Sequence, residues 1–350
     1  MSDHPGVREP RPSPWRKQVK RYLPGRMLAA LWRRRRTPLQ TARARGADRA
    51  DGRHGRVPAP GPRRREVRSV VCVFAGPGEL DSLLDTAQAL RASDGDASQL
   101  LVIDDCSVDS RASILQERLE GVDVLRTRYS SGGPPNLWEP ARLGLEHALE
   151  HYDFEQWVKM DTDALAVGPG FSRLTLAALA ERPEAGIAGS FRVRADGRPE
   201  DHLYHAEIIG RELGRDRTLA AGVEGAEAAG WRRGDAVQGG CMCITRAAAG
   251  ALSEQGWLSW SRPWHSLLAE ELVLTLFIRA AGFEALSLGG PDDGLLAVAN
   301  KGLPLSKEQL ADGRWVGTHS VRHGLSGENE AELRAFFAER RAGWLAGSPA

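Results

Sequence analysis

The chain is predicted to fold as an α/β domain on a mostly parallel sheet flanked by helices. Three observations predict it. From Glu66 to Asp161, short apolar runs alternate with helix-spaced segments; strands joined by helical crossovers lie parallel. Two apolar runs end directly in acidic residues, at Asp104-Asp105 and at Asp161-Thr162-Asp163, and ligands of open α/β sheets bind at the carboxyl ends of strands. The 350 residues are 41% hydrophobic, ample for one domain with a proper core.

Each element follows from its pattern. Residues 67–74 (VRSVVCVF) form a buried-strand run. Residues 80–90 put Leu80, Leu83, Leu84, Ala87 and Leu90 on one helical face. A second strand, 100–103, ends at the first acidic pair; a helix over 112–119, a strand over 122–125 and a helix over 138–151 lead to a fourth strand, 156–160, that ends at Asp161. The second half is less regular. A strand is predicted over 186–193, and the polar, Gly- and Arg-rich residues 194–234 read as a long excursion over the site. Residues 236–245 (AVQGGCMCIT) read as a strand with a double glycine inside, 267–281 as a helix carrying Glu270 and Glu271, and 328–345 as a terminal helix.

Charge divides the chain. Residues 1–66 carry 19 Lys/Arg against 5 Asp/Glu, a net +14, and the remainder carries −13. The tail is rich in Arg, Pro and Gly, a composition that buries too little surface to order itself. Within it, residues 15–36 place Trp15, Val19, Tyr22, Leu23, Met27, Leu31 and Trp32 near helical spacing among clustered cations. Two readings stand: an amphipathic helix on an anionic membrane surface, and a solvated tail. Nucleic acid is disfavoured, because the acidic body would repel phosphates. No run approaches the ~20 apolar residues of a membrane span, and no signal peptide is visible. Cys72, Cys106, Cys241 and Cys243 form no CxxC pair or disulfide framework, which fits a reduced, cytoplasmic protein, peripheral on the inner face of the plasma membrane if the tail binds it. The domain expectation is a tail (1–66), a folded α/β domain (67–325) and a C-terminal helix and tail (326–350).

Asp161 and Asp163, two residues apart at a strand exit, suit a hard divalent cation that bridges a diphosphate; the alternative is a solvated acidic turn. Asp104 and Asp105 can accept hydrogen bonds from a base or ribose, while Ser107 and Asp109 are explained by helix capping. Trp257, Trp260 and Trp264 precede Glu270 and suit either stacking on a ligand ring or packing.

VVCVFAGPGELDSLLDTAQAL followed by LLVIDDCSVDS resembles the opening of the family 2 glycosyltransferases. Further along, Ala141-Arg142-Leu143-Gly144 resembles the family's Arg-containing helix start, and Asp161-Thr162-Asp163 its metal motif. Gly239-Gly240 resembles the glycine pair beneath the donor sugar. Glu270-Glu271 with LVLTLFIRAAGF resembles the catalytic acidic pair and its helix, and His319 the C-terminal metal-site histidine. The resemblance spans about residues 67–323 and implies a GT-A fold, a nucleotide-sugar donor, a Mn or Mg ion and inverting transfer to a glycan, lipid or small-molecule acceptor. It implies Glu271 as catalytic base; Phe74, Glu79, Asp104, Asp105 and Asp161 at the nucleotide; Asp161, Asp163 and His319 at the metal; and Arg142, Gly239, Gly240, Trp260, Trp264 and Glu270 at the donor or acceptor sugar. The helix dipole is expected to keep Glu271 ionised. Two departures stand out: Ala75-Gly76-Pro77-Gly78-Glu79 replaces the usual Pro-x-x-Asn-Glu, and Glu271 replaces Asp. A nucleotidyltransferase would instead want a Lys in a glycine-rich loop after the first strand, which is missing here; a non-catalytic scaffold would not need Asp161, Asp163, Glu271 and His319.

Overall fold

The computed structural model describes residues 64–76, 79–105, 111–127, 137–200, 203–260 and 266–346. The cationic tail with its segment 15–36, the capping residues Ser107 and Asp109, and Trp264 lie outside the described residues.

The first half follows the predicted alternation: β1 (Arg65–Glu66), β2 (Ser69–Ala75), α1 (Leu80–Asp94), β3 (Ser98–Asp104), α2 (Arg111–Arg118), β4 (Asp123–Arg126), α3 (Trp138–His151), β5 (Tyr152–Asp153), β6 (Gln156–Asp161) and β7 (Ala164–Ala166). The second half adds α4 (Phe171–Ala180), β8 (Ala185–Gly189), α5 (Leu203–Glu212), α6 (Arg217–Ala228), β9 (Cys241–Thr245), α7 (Arg246–Glu254), α8 (Glu270–Ala280), β10 (Glu284–Ser287), β11 (Leu296–Val298), α9 (Lys307–Leu310), β12 (Gly317–His319) and α10 (Glu330–Ala346).

A seven-stranded sheet has the order β10-β8-β9-β6-β2-β3-β4. Neighbours from β6 through β4 are parallel, as are β10 and β8; β9 alone runs against both its neighbours. Alternation along β2 sends Val71 and Val73 into the apolar layer beneath α1, and Cys72 and Phe74 into the layer shared with α3 and α8. A small sheet, β11-β12-β7, stands at the exit of β6. Its β12 runs antiparallel to β7 with His319 opposite Ala164, so residues more than 150 positions apart meet at one edge.

Two expectations change. Residues 203–212 and 217–228 are helices rather than an irregular excursion. The capping signal for α6 was in the sequence: Asp216 Oδ1 accepts from Leu219 N at 3.0 Å. The strand expected over 236–245 is only Cys241–Thr245, with both glycines in the turn before it. The terminal helix α10 is packed into the molecule: Leu333 and Phe337 are fully buried in the layer containing α1, and Arg334 Nη1 reaches Asp85 Oδ2 at 2.7 Å. Among the described residues, no helix is long and apolar enough to cross a membrane.

Candidate active site

Side chains alternate along β6, so Trp157, Lys159 and Asp161 leave one face and Asp161 emerges at the carboxyl end. The turn beyond it is braced from two helices. Thr86 Oγ1 on α1 donates to the carbonyls of Thr162 and Ala164, both at 2.9 Å. Arg334 Nη2 on α10 donates to the Thr162 carbonyl at 2.6 Å. Thr162 Oγ1 donates to Glu79 Oε2 at 2.9 Å, and the same oxygen accepts from Gly76 N at 2.9 Å.

Onto this turn the β12–β7 pairing delivers His319. Its Nε2 lies 3.2 Å from Asp163 Oδ1 and 3.7 Å from Asp161 Oδ2. One ligand atom from each of the three residues falls within 4.8 Å of the others. The remaining carboxylate oxygens are held from outside: Asp161 Oδ1 by Lys159 Nζ at 2.7 Å and Asp163 Oδ2 by Arg322 Nε at 2.6 Å. What converges is two carboxylate oxygens and one imidazole nitrogen, a donor set that could hold a divalent cation.

The local electrostatics differ between the two aspartates. Burial raises the proton affinity of Asp163, but the His319 hydrogen bond and charge together with Arg322 outweigh it and hold the carboxyl well below its ordinary range. Burial dominates at Asp161 and leaves its pKa raised despite Lys159 and His319. Burial alone would neutralise Lys159; Asp161 and Glu270 outweigh it and keep the ammonium charged.

The Gly239-Gly240 turn forms the floor. A Cβ at Gly240 would collide with the His319 ring. A Cβ at Gly239 would sit 3.1 Å from both Glu270 Oε1 and Glu271 Oε2. Two adjacent glycines thus let His319 press against one side of the turn and the acidic start of α8 against the other. Glu271 departs from expectation in its proton affinity: burial, then the charge of Glu270, raise its pKa well above the ordinary glutamate value. The helix-dipole effect, ~0.3–1 kcal/mol for an exposed group, is the smaller influence beside desolvation.

The other predicted site residues are placed as follows. Glu79 is at the β6 exit, tied to Gly76 and Thr162 and 3.7 Å from Arg322 Nη2. Asp104 and Asp105 lie at the exit of β3, one strand removed from β6, and both are buried. Asp105 N donates to the Ala75 carbonyl at 3.0 Å, Thr127 Oγ1 donates to Asp105 Oδ1 at 3.3 Å, and Arg126 Nε stands 3.7 Å from Asp104 Oδ2.

Four of the predicted site residues have other partners in the structure. Phe74 is buried in the core, 6.4 Å from the Trp157 ring, because its alternation on β2 points it inward. Arg142 is spent on its own helix, with Nη2 2.5 Å from Glu139 Oε1 and Nη1 2.5 Å from Glu146 Oε2, the i,i+3 and i,i+4 spacings that helical neighbours favour. Trp260 is buried: its ring meets Trp138 edge-on at 5.6 Å and its Nε1 donates to Asp216 Oδ2 at 2.8 Å, which makes it packing. Glu270 is 3% exposed and its Oε1 accepts from Lys159 Nζ at 2.9 Å, so that oxygen is committed to the lysine rather than turned to a sugar.

Sequence reasoning passed over Lys159 and Arg322. Lys159 carried a signal: a lysine inside an otherwise apolar central-strand run must find anionic partners. Arg322 carried none beyond standing three residues after His319.

No family model and no curated protein matches the sequence. Among solved structures, this one is similar to the mannosyltransferase PcManGT from Pyrobaculum calidifontis in complex with GDP-Man and Mn2+, at 19% identity and a TM-score of 0.41, over 79% of this chain and 70% of that one. It is also similar to S. aureus TarS 1-349 in complex with UDP-GlcNAc, at 14% identity and a TM-score of 0.40, over 81% of this chain and 68% of that one. Against a longer TarS structure, at 15% identity and a TM-score of 0.41, the match covers 65% of this chain but only 36% of the other. These are distant likenesses to glycosyltransferases; what the cleft can do follows from its own residues.

Proposed function

We propose that the protein is a metal-dependent glycosyltransferase that moves a sugar from a nucleoside diphosphate donor to an acceptor hydroxyl with inversion. The observation that carries this reading is the shared floor: Gly240 supports His319 of the Asp161–Asp163–His319 seat, and Gly239 supports Glu271. A cation site and a basic carboxylate on one turn are what such a transfer needs at its two ends.

Asp161, Asp163 and His319 would hold the divalent cation, whose Lewis acidity offsets the charge developing on the diphosphate. Arg322, about half exposed, adds positive charge on the same side. Glu271 takes the proton of the acceptor hydroxyl as that oxygen forms its bond to the anomeric carbon and the bond to the diphosphate breaks. Glu271 holds a proton more readily than a free glutamate, so it is a stronger base once ionised, and the acid limb of activity should lie above the usual carboxylate range. The cationic segment 15–36, with its two tryptophans, is read as contacting an anionic membrane; vesicle sedimentation at low salt, with and without residues 1–66, tests that.

The main test is release of nucleoside diphosphate from a panel of nucleotide sugars with and without Mn2+. Activity that is metal-dependent in the parental chain and lost in Asp163→Ala supports the reading; undiminished turnover in that variant ends it.

A further inference from the structure

We propose that Lys159 is a positioning residue that builds the cation seat and the start of the base-bearing helix around one buried ammonium group. The proposal rests on the metal-dependent reading given above.

Lys159 stands two residues before Asp161 on β6, so both side chains leave the strand on the same face. Its backbone is opposite Cys72 on β2 and Met242 on β9, in the middle of the sheet, and the side chain is fully buried. An ammonium there needs a partner for each N–H, of which it has three. It finds three: Asp161 Oδ1 at 2.7 Å, Glu270 Oε1 at 2.9 Å and the Gly239 carbonyl. The Phe74 ring adds a face 5.4 Å from Nζ.

Each partner belongs to a different part of the site. Holding Asp161 by Oδ1 leaves its Oδ2 as the oxygen toward His319. Holding the Gly239 carbonyl fixes the turn against which His319, Glu270 and Glu271 all pack. Holding Glu270, the first residue of α8, anchors the helix one residue before Glu271. Seat, floor and helix start are thus referred to one atom. Arginine would not serve, because its longer planar fork presents its donors in a different geometry.

The test uses the full chain and Mn2+ alone, with free Mn2+ read by electron paramagnetic resonance and folding by thermal melting. If the parental chain binds no Mn2+, the metal-dependent reading has failed, and not this proposal specifically. If it binds, Lys159→Met should raise the Mn2+ dissociation constant by at least ~10-fold, the low end for groups that orient a metal ligand. The double variant Lys159→Met/Glu270→Gln removes buried charge of both signs. It should melt within a few degrees of the parental chain, yet show the same loss of Mn2+ affinity. Glu270→Gln alone keeps Lys159 on Asp161 and should bind Mn2+ within about threefold of parental. Parental Mn2+ affinity in a folded Lys159 variant would overturn the proposal. So would an equal loss in Glu270→Gln, or failure of both Lys159 variants to fold, which would make the lysine a plain requirement of the core.

Discussion

Two acidic pairs look alike in the sequence: Asp104-Asp105 after LLVI and Asp161-Thr162-Asp163 after WVKM. Each ends a strand of the central sheet, and β2 alone separates their strands. Their surroundings differ. At the β3 exit, Asp105 is bonded through its backbone to β2 and its side chain to Thr127 beyond β4, with Arg126 beside Asp104. At the β6 exit, each aspartate has one oxygen held by a cation and the other turned toward His319. The difference teaches that carboxylates at a strand exit make a candidate cation site when neighbours restrain one oxygen of each and a third donor faces the others. Here Lys159 on β6 and Arg322 after β12 restrain the two aspartates, and β12 brings His319.

That contrast can be broken or sharpened by substitution. The largest effect is expected at the β6 exit. Asp163→Ala should cut transfer by about 10³-fold, equivalent to the several kcal/mol of charge stabilisation that a bound cation supplies. Asp104→Asn should cost less than about 10-fold and leave Mn2+ binding unchanged. Equal losses at the two exits, measured as kcat/KM, would erase the distinction drawn between them.

Next in size, Glu271→Gln should reduce transfer by at least ~10²-fold while donor and Mn2+ binding, followed by calorimetry, stay at parental strength. If the variant turns over at the parental rate, the base lies elsewhere and the inverting mechanism goes with it.

A subtler effect concerns pH. Burial and then the negative charge of Glu270 raise the pKa of Glu271, and Lys159 opposes them. Removing the Glu270 charge leaves burial and Lys159 in place, so the Glu271 pKa must fall. The acid limb of kcat/KM in Glu270→Gln should therefore move to lower pH. A limb that stays put, or moves up, would mean that another group sets it.

The smallest effect is expected at Arg142. Its ion pairs lie on one helix, with partners 56% and 41% exposed, and exposed pairs contribute ~0.2–1 kcal/mol. Arg142→Ala should change stability by less than about 1 kcal/mol and leave kcat/KM at the parental value. A large kinetic loss would restore the sugar-contacting role that the sequence suggested.

Much of the framework was legible because it is encoded locally. The helix over 138–151 was read to the residue, and the strand over 156–160 to within one, since apolar periodicity and strand exits are properties of short segments. The acidic turn, the glycine pair and the acidic helix start were legible as motifs for the same reason. Three-dimensional packing decided the rest. Phe74, Arg142 and Trp260 have residue types that suit a ligand, but strand alternation, helical neighbours and a facing tryptophan gave them other partners. The β12–β7 register set His319 between two aspartates. Three partners from separate elements made a buried Lys159 stable. Desolvation, which exists only once the chain has closed around a carboxylate, overrode the helix dipole at Glu271. By itself the sequence determined which groups arrive at the strand ends, because that depends on local pattern; which oxygens face inward, and with what proton affinity, only the tertiary structure decided, because those depend on neighbours distant in the chain and on the exclusion of water.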